Sequence, residues 1–189
     1  MASYDPDHEL VLRVAQRDTY AYGALVGKHL NRCLKVAERM LGNRQDAEDV
    51  VQEVCLKIWK EAARWKPKAK FSTWLYRVLL NACLDHKRRA IRFETDLLDE
   101  IADESPMHDE KMMHDQRSYR VKEALQQLPD RQRAAIVLGY YEGMSNQEAA
   151  EAMDVTLGSF QQLLFRAKQN LRDTLADFLP ENEDEAQNG

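Results

Sequence analysis

The fold is decided by a basic loop that runs into the start of a helix, Trp65-Lys-Pro-Lys-Ala-Lys-Phe-Ser-Thr-Trp74-Leu-Tyr-Arg-Val-Leu-Leu-Asn81. Three lysines and a proline lie between aromatic residues, and Ser72 is of the type that caps the first N–H groups of a helix. Lysines neutralise phosphates, and flat rings offer faces on which unstacked bases stack. The pattern therefore indicates a surface for opened nucleic acid. The alternative is a solvated basic loop whose Trp side chains pack inward.

Charge is strongly segregated around this loop. From Lys57 to Arg92, eleven Lys or Arg residues and two acids give a net charge of +9. From Phe93 to Tyr119, nine acids and two basic residues give −7, and six more acids follow from Asp173 to the last residue. The net charge of the whole chain, −5, hides this asymmetry. The acidic stretches predict a flexible linker at 93–118 and an acidic tail at 181–189.

Apolar residues recur with helical spacing, which predicts an all-α chain of two small helical domains joined by the acidic linker. In the first domain, residues 1–92, we expect four helices: one from Asp5-Pro6 to about Arg17, one from about Thr19 to Leu41 with Gly42 as a left-handed stop, a third capped by Asn43, and a fourth from Ser72 to about Arg89. Because the linker offers little apolar surface, we expect the two domains to be mobile relative to each other.

The second domain, residues 119–180, has the pattern of a helix-turn-helix. Four helices are predicted there: Tyr119–Gln127, one capped by Asp130, Asn146–Met153, and one from about Leu157 to Phe178. Ser145 and Glu148 form a capping box before the third of these. A short helix, a tight turn and a longer helix can place the longer helix in a DNA major groove. An ordinary helical hairpin is the alternative.

Taken together, these residues resemble the extracytoplasmic-function group of bacterial RNA polymerase sigma factors, in the sigma-70 superfamily. In the first half the resemblance rests on Asp46-Ala-Glu-Asp49-Val-Val-Gln52-Glu53-Val, on Phe71-Ser-Thr-Trp74-Leu75-Tyr-Arg77, and on Asn81, Asp85 and Arg88-Arg89. In the second half it rests on Leu128-Pro129-Asp-Arg131-Gln132-Arg, on Gly143-Met-Ser145-Asn-Gln-Glu148-Ala-Ala150, and on Arg166-Ala167-Lys168 with Leu171. Both sets of motifs, in this order, cover nearly the whole chain.

The resemblance implies a transcription initiation factor that binds core RNA polymerase, directs it to specific promoters and opens the minus-ten element. It implies that core polymerase contacts Asp46, Glu48, Asp49, Gln52 and Glu53. It implies that the opened minus-ten strand contacts Lys66, Lys68, Lys70, Phe71, Trp74, Arg77, Asn81, Arg88 and Arg89. It implies that minus-thirty-five DNA contacts Ser145, Gln147, Thr156, Ser159, Gln161, Gln162 and Arg166. An anti-sigma factor is implied as the regulatory partner.

Two features depart from that pattern or compete with it. Similar proteins usually carry more Lys or Arg at the start of the recognition helix than this chain has from Gly158 to Arg166, and Phe165 lies opposite the inner stripe of that helix by its spacing. The acids of the third helix also have a second explanation, since acids near a helix N-terminus are favoured by the helix dipole.

Other functional classes have weaker support. A one-component helix-turn-helix regulator with a sensing first half is the main alternative, and the sequence shows no catalytic motif. His29 with Cys33, and Cys83 with His86, have zinc-ligand spacing, but Cys33 and Cys83 fit a buried core better. We therefore expect no catalytic residues, cofactor or metal. The acidic start and the short apolar runs indicate a cytoplasmic protein with no membrane insertion of its own.

Overall fold

The computed structural model describes residues 5–66, 69–98 and 116–176, and all regular structure in those ranges is helical. The elements are α1 (His8–Ala15), α2 (Thr19–Leu41), α3 (Arg44–Glu61), α4 (Phe71–Leu98), α5 (Gln116–Gln127), α6 (Asp130–Ile136), α7 (Asn146–Ala152) and α8 (Leu157–Leu175). A 3-10 turn, Ala62–Arg64, follows α3, and a π-helical turn, Val137–Tyr141, follows α6. The all-α prediction is confirmed.

Capping residues set the boundaries of α2 and α3 where the sequence predicts them. The Asp18 carboxylate accepts hydrogen bonds from the first amides of α2, those of Tyr20 and Ala21. Gly42 ends α2 in the left-handed region at φ 90°, where a side chain would be strained. Asn43 then caps α3 by accepting from the Asp46 amide at 2.8 Å.

Three predicted helix starts are wrong in detail. α4 begins at Phe71, and the Lys70 carbonyl, not the Ser72 side chain, accepts from its first turn. α1 begins at His8, because Asp5 and Pro6 form a turn before it. Asp130 is the first residue of α6 rather than its cap.

Helices occupy both ends of the range that the sequence predicts to be a linker, 93–118. α4 continues to Leu98, well beyond the expected end near Arg89, and α5 begins at Gln116. Both helices therefore enter the range 93–118. Residues 99–115 and the tail at 181–189 lie outside the described residues.

The first unit, α1–α4, encloses one apolar core. Apolar residues at helical spacing along α3 are buried, among them Val50, Val54 and Ile58. Other fully buried side chains come from all four helices and include Val11, Val14, Leu25, Val36, Met40, Phe71, Leu75 and Leu79. Cys33 and Cys83 are buried in the same core, as predicted.

The second unit, α5–α8, is built on small residues. Ala149, Ala150 and Ala152 of α7 are buried and let it pack closely on α8, where Phe160 and Ala167 face inward. The capping box is present, since the Ser145 and Glu148 side chains each accept from the other's backbone amide. α7 and α8 thus form the predicted helix-turn-helix.

The two units pack against each other: α7 lies on α4, while α5 and the π-helical turn lie on α2. The contact surfaces belong to helices such as α2, α4 and α7 and not to the linker. The expected mobility of the units relative to each other stays a prediction. Lys87 of α4 also pairs with Asp130 at 2.6 Å.

Arg133 ties the second unit to the end of α2. Its side chain is buried, and it donates to the carbonyl oxygens of Leu125 at 2.9 Å, Leu128 at 3.0 Å and Met40 at 2.6 Å, and also to that of Gln126. The carbonyl groups at a helix C-terminus lack intrahelical partners. The guanidinium therefore satisfies helix-end carbonyls on α5 and on α2 at once.

We predict that Arg133→Ala lowers the free energy of unfolding by about 3 kcal/mol, because buried carbonyls lose their donor. Urea denaturation followed by circular dichroism measures the change. Arg131→Ala is the matched control, since Arg131 is exposed two positions away, and it should change stability by less than about 0.5 kcal/mol. Equal losses in both variants would contradict a special role for Arg133.

Candidate nucleic-acid interface

A cluster of rings anchors the start of α4. Phe71 is 1% exposed, and its ring lies 5.6 Å from His29, 6.4 Å from Trp65 and 5.5 Å from Trp74, measured between ring centroids. Such tilted and edge-on ring pairs stabilise a core beyond their buried area. The expectation that Phe71 contacts an opened strand is therefore corrected, because no face of this ring is free for a base here.

An open cavity of about 450 Å³ lies beside this cluster. Its lining residues combine basic and aromatic side chains with one residue of α7: Arg64, Trp65, Lys66, Ala69, Thr73, Trp74, Arg77 and Glu151. Trp65 and Trp74 are only partly buried, and Lys66 is exposed. Indole rings beside cations are the groups that hold an unstacked base and its phosphate. The structure thus brings together three predicted strand contacts, Lys66, Trp74 and Arg77. A fourth, Lys70, directly follows the lining residue Ala69 in the sequence.

Two of these cations are engaged by the second unit. Lys70 Nζ lies 2.7 Å from Glu148 Oε1, and Arg77 donates to the carbonyl oxygen of Glu151 at 3.1 Å. The hydrogen bond from Lys70 lowers the pKa of Glu148, and the same bond raises the pKa of Lys70. Arg77 also approaches the Asp154 carboxylate at 3.9 Å. In this conformation α7 covers part of the basic surface of α4.

Further along α4, the remaining predicted strand contacts are exposed. Asn81, Arg88 and Arg89 lie on the solvent side of the helix. Arg88 pairs with Asp85 and Arg89 with Glu53, each at 3.2 Å. Lys68 lies outside the described residues.

The acidic face of α3 lies next to the basic helix. Glu48, Asp49, Gln52 and Glu53 are exposed, as a docking surface requires. Asp46 is different, because its carboxylate accepts from Asn43 Nδ2 at 2.7 Å and lies 3.3 Å from His86 Nε2. Helix capping therefore accounts for Asp46, whereas it does not account for the acids further along α3.

In the helix-turn-helix, several predicted DNA contacts serve the helix ends. Thr156 caps α8 by accepting from the Ser159 amide at 3.1 Å, and Gln147 donates to Glu151 Oε1 at 3.1 Å. Ser145 is occupied in its capping box. These side chains fix the two helices, and their hydroxyl and amide groups remain exposed.

The outer face of α8 carries the groups that can reach bases. Gln161, Gln162 and Arg166 are exposed and line a groove with Gly158, Phe165 and Gln169. Phe165 is 61% exposed. It belongs to this face although the predicted contact set omits it, and its position opposite the inner stripe is the signal that identifies it. An exposed ring of this kind can contact a thymine methyl group.

The groups considered for zinc have other partners. His29 Nε2 lies 2.8 Å from Asp7 Oδ2, and His86 lies beside Asp46. Burial raises the pKa of the Cys33 and Cys83 thiols to about 12, which disfavours the thiolate that metals bind. The described part of the chain holds no group of three or more His, Cys, Asp or Glu placed to bind a metal ion. Nor does any helix within the described ranges have the length and apolarity to cross a membrane.

Comparison with known proteins connects these surfaces to a family. Residues 25–93 match the family model for sigma-70 region 2, and residues 118–171 match that for sigma-70 region 4. The ECF RNA polymerase sigma factor SigE of Mycolicibacterium smegmatis is 36% identical over 160 residues, which span 82% of this chain and 62% of that relative. The sigma factor SigM of Mycobacterium tuberculosis is 30% identical over 165 residues, with 87% and 82% of the two chains covered.

A solved structure agrees with the sequence relatives. The structure of CnrH in complex with the cytosolic domain of CnrY aligns with a TM-score of 0.70 at 26% identity, and the alignment covers 93% of this chain and 100% of that chain. The alignment extends over both helical units. The chain belongs to the extracytoplasmic-function family of RNA polymerase sigma factors.

Proposed function

We propose that this sigma factor directs core RNA polymerase to promoters through three separate surfaces, and that the cavity at the start of α4 receives the opened minus-ten strand. The observation that carries the proposal is the cavity itself, where Trp65, Trp74, Lys66 and Arg77 converge. None of these four residues alone would identify a strand-binding site. Partly buried indole rings and cations around one open cavity are, however, suited to a flipped base and its phosphate.

The polymerase-binding surface is proposed on the acidic face of α3. Asp49, Gln52 and Glu53 are exposed and lie too far from the start of the helix for capping to explain them. Carboxylates repel the phosphates of DNA, so an acidic face beside a basic helix suits a protein partner. The region 2 match, which spans α3 and most of α4, supports this division of roles.

Minus-thirty-five recognition is proposed on the outer face of α8. Gln161 and Gln162 can pair bidentately with adenine, and Arg166 can reach guanine or a phosphate. Because this face has few cations, most of its discrimination must come from base edges and from Phe165. A low cation count also predicts a weak salt dependence of this contact.

The opened strand and α7 compete for the same cations in this arrangement. Lys70 and Arg77 bind Glu148 and the Glu151 carbonyl oxygen where phosphates would otherwise lie. Strand binding therefore requires α7 to leave α4. CnrH was solved with the cytosolic domain of CnrY, and we propose that an anti-sigma factor binds this chain in the cytoplasm. No catalytic role is assigned, since sigma factors are not enzymes.

The proposal is tested by mixing the chain with core polymerase and a pool of promoter-length DNA of random sequence. We expect transcripts from a selected subset that share a sequence motif. Asp49→Lys and Glu53→Lys should together reduce affinity for core polymerase roughly tenfold, because the proposed interface contains both carboxylates. Stability should change by less than about 0.5 kcal/mol, as both side chains are exposed.

Glu9→Lys is the matched control for that experiment, since Glu9 is an exposed acid on a different helix, α1. It should bind core polymerase like the wild type. Transcription without sequence selection would refute the function. Unchanged polymerase affinity in the α3 variants would contradict the polymerase-binding role proposed for this face.

Substitutions of Trp74 and Phe71 distinguish an effect on strand binding from an effect on folding. Phe71→Ala should lower the free energy of unfolding by about 3–5 kcal/mol, as for other large core truncations. Trp74→Ala should cost less stability, because its ring is only partly buried, and it should weaken binding to the opened strand by about 1–3 kcal/mol through lost stacking. Denaturation and titration with forked DNA measure the two effects. Parallel losses in both variants would show that Trp74 only anchors the loop.

Glu148→Gln should open the contact between α7 and α4. Glutamine keeps the capping box but lacks the charge that pairs with Lys70. Single-stranded oligonucleotide should then bind the free chain about two- to fivefold more tightly, in keeping with a partly exposed ion pair. The control Glu151→Gln keeps the backbone acceptor of Arg77 and should have a smaller effect.

The same contact should respond to pH in a defined direction. The pKa of Glu148 is lowered from 4.5, so its contribution is full at neutral pH and is lost only as the pH falls through that lowered value. Small-angle scattering of the wild type, measured as the pH is lowered from neutral, detects whether the two units separate. Tighter packing upon acidification would contradict the assignment.

A further inference from the structure

The N-terminal segment of the described chain, Asp5–His8, reaches both ends of the basic loop. The His8 ring lies 5.6 Å from the Trp65 ring, where the loop begins. Asp5 Oδ2 accepts from the Phe71 amide at 2.7 Å, where the loop ends and α4 begins. These contacts join residues more than fifty positions apart in the sequence. The segment therefore bridges the two sides of the cavity that the proposed function assigns to the opened strand.

Asp5 supplies a helix cap that the local sequence of α4 lacks. The residue before Phe71 is Lys70, whose side chain has no acceptor atom. The Lys70 carbonyl oxygen accepts from the amides of Thr73 and Trp74 at 3.0 and 3.3 Å. The Phe71 amide is instead bound by Asp5, a residue distant in the sequence. A carboxylate near a helix N-terminus also interacts favourably with the helix dipole. The Asp5 carboxylate thus caps α4 from a position far away in the sequence.

Other contacts hold Asp5 in place. Its Oδ1 accepts from the Asp7 amide at 2.9 Å, so both carboxylate oxygens are used. Asp7 is 2% exposed and is held by His29 Nε2 at 2.8 Å and by Lys28. The His29 ring in turn packs edge-on against Phe71. The capping carboxylate is therefore fixed to α2, which makes its position a property of the folded unit rather than of a loose terminus.

We propose that Asp5 is a positioning residue for strand binding: by accepting from the Phe71 amide, it fixes the first turn of α4 and so holds Trp74 in the lining of the cavity, which Trp65 also lines. This inference rests on the proposed function of that cavity. A frayed first turn would move Trp74 and Arg77 relative to Trp65. The site would then have to be reordered each time a strand binds, and affinity would fall without the loss of any direct contact.

The test compares Asp5→Ala with Asp5→Asn in the full-length chain bound to core polymerase. The probe is forked DNA that the wild-type holoenzyme recovers from a randomised pool. Asp5→Ala removes the acceptor and should weaken forked-DNA binding by roughly three- to tenfold, the range expected for one lost cap. Asp5→Asn keeps an acceptor oxygen and should stay within about twofold of the wild type. Affinity for core polymerase should not change in either variant.

Asp18→Ala is the matched control. Asp18 caps α2 by the same kind of bond, accepting from Tyr20 and Ala21 at 2.9 and 3.0 Å, but it is not among the residues that line the cavity. It should lower the thermal midpoint yet leave forked-DNA affinity unchanged. Amide hydrogen exchange gives a local readout, because the Phe71 amide should exchange faster in Asp5→Ala and not in Asp18→Ala.

The outcomes are distinct. Wild-type affinity in Asp5→Ala overturns the positioning role and leaves the proposed function intact. Equal weakening in Asp5→Asn and Asp5→Ala overturns it in favour of a charge effect on the nearby Lys70. Weakening in Asp18→Ala to the same degree overturns it in favour of general stability. A wild-type holoenzyme that recovers no DNA overturns the proposed function and this inference with it, while Phe71 exchange still reports on the cap itself.

Discussion

Burial of Phe71 is the constraint on which the rest of the site depends. Its ring closes the core of the first unit and at the same time fixes the residue where α4 begins. Because a core ring cannot shift without opening a void, the helix start is set by packing and not by local sequence preference. The loop before it must therefore leave the core at one point and one angle. Trp65 and Trp74, which contact this ring, are positioned at the cavity as a consequence.

A single carboxylate couples the helix-turn-helix to that site. Glu148 closes the capping box with Ser145 through one oxygen and pairs with Lys70 through the other. The cap is a local requirement of α7, whereas the pair is a long-range contact between the units. Since the cap is satisfied with or without Lys70, α7 can leave α4 and remain folded. Neither helix has to unfold for the two units to separate, which is what a competition between α7 and a DNA strand requires.

The sequence predicts helix class, most caps and the placement of charge, because these depend on neighbours within a few residues. Asn43, Gly42 and the Ser145 capping box are found where expected for that reason. Phe71 was misassigned because aromatic residues in a basic loop look alike whether they face a base or a core. The cap from Asp5 is invisible in the sequence, as it joins positions that only tertiary packing brings together. Packing of the two units was missed for the same reason.

The arrangement of opposite charges on α3 and α4 allows partners to be exchanged at little cost. Glu53 pairs with Arg89, and both side chains are more than half exposed, at 55% and 62%. Exposed pairs of this kind contribute little to stability. If Glu53 binds a protein partner and Arg89 binds a phosphate instead, the chain therefore loses almost no folding stability. Buried pairs would resist such an exchange, because each separated charge would be left without a partner in a low dielectric. Exposure of these two faces is thus a condition for one small unit to serve a polymerase and a DNA strand side by side.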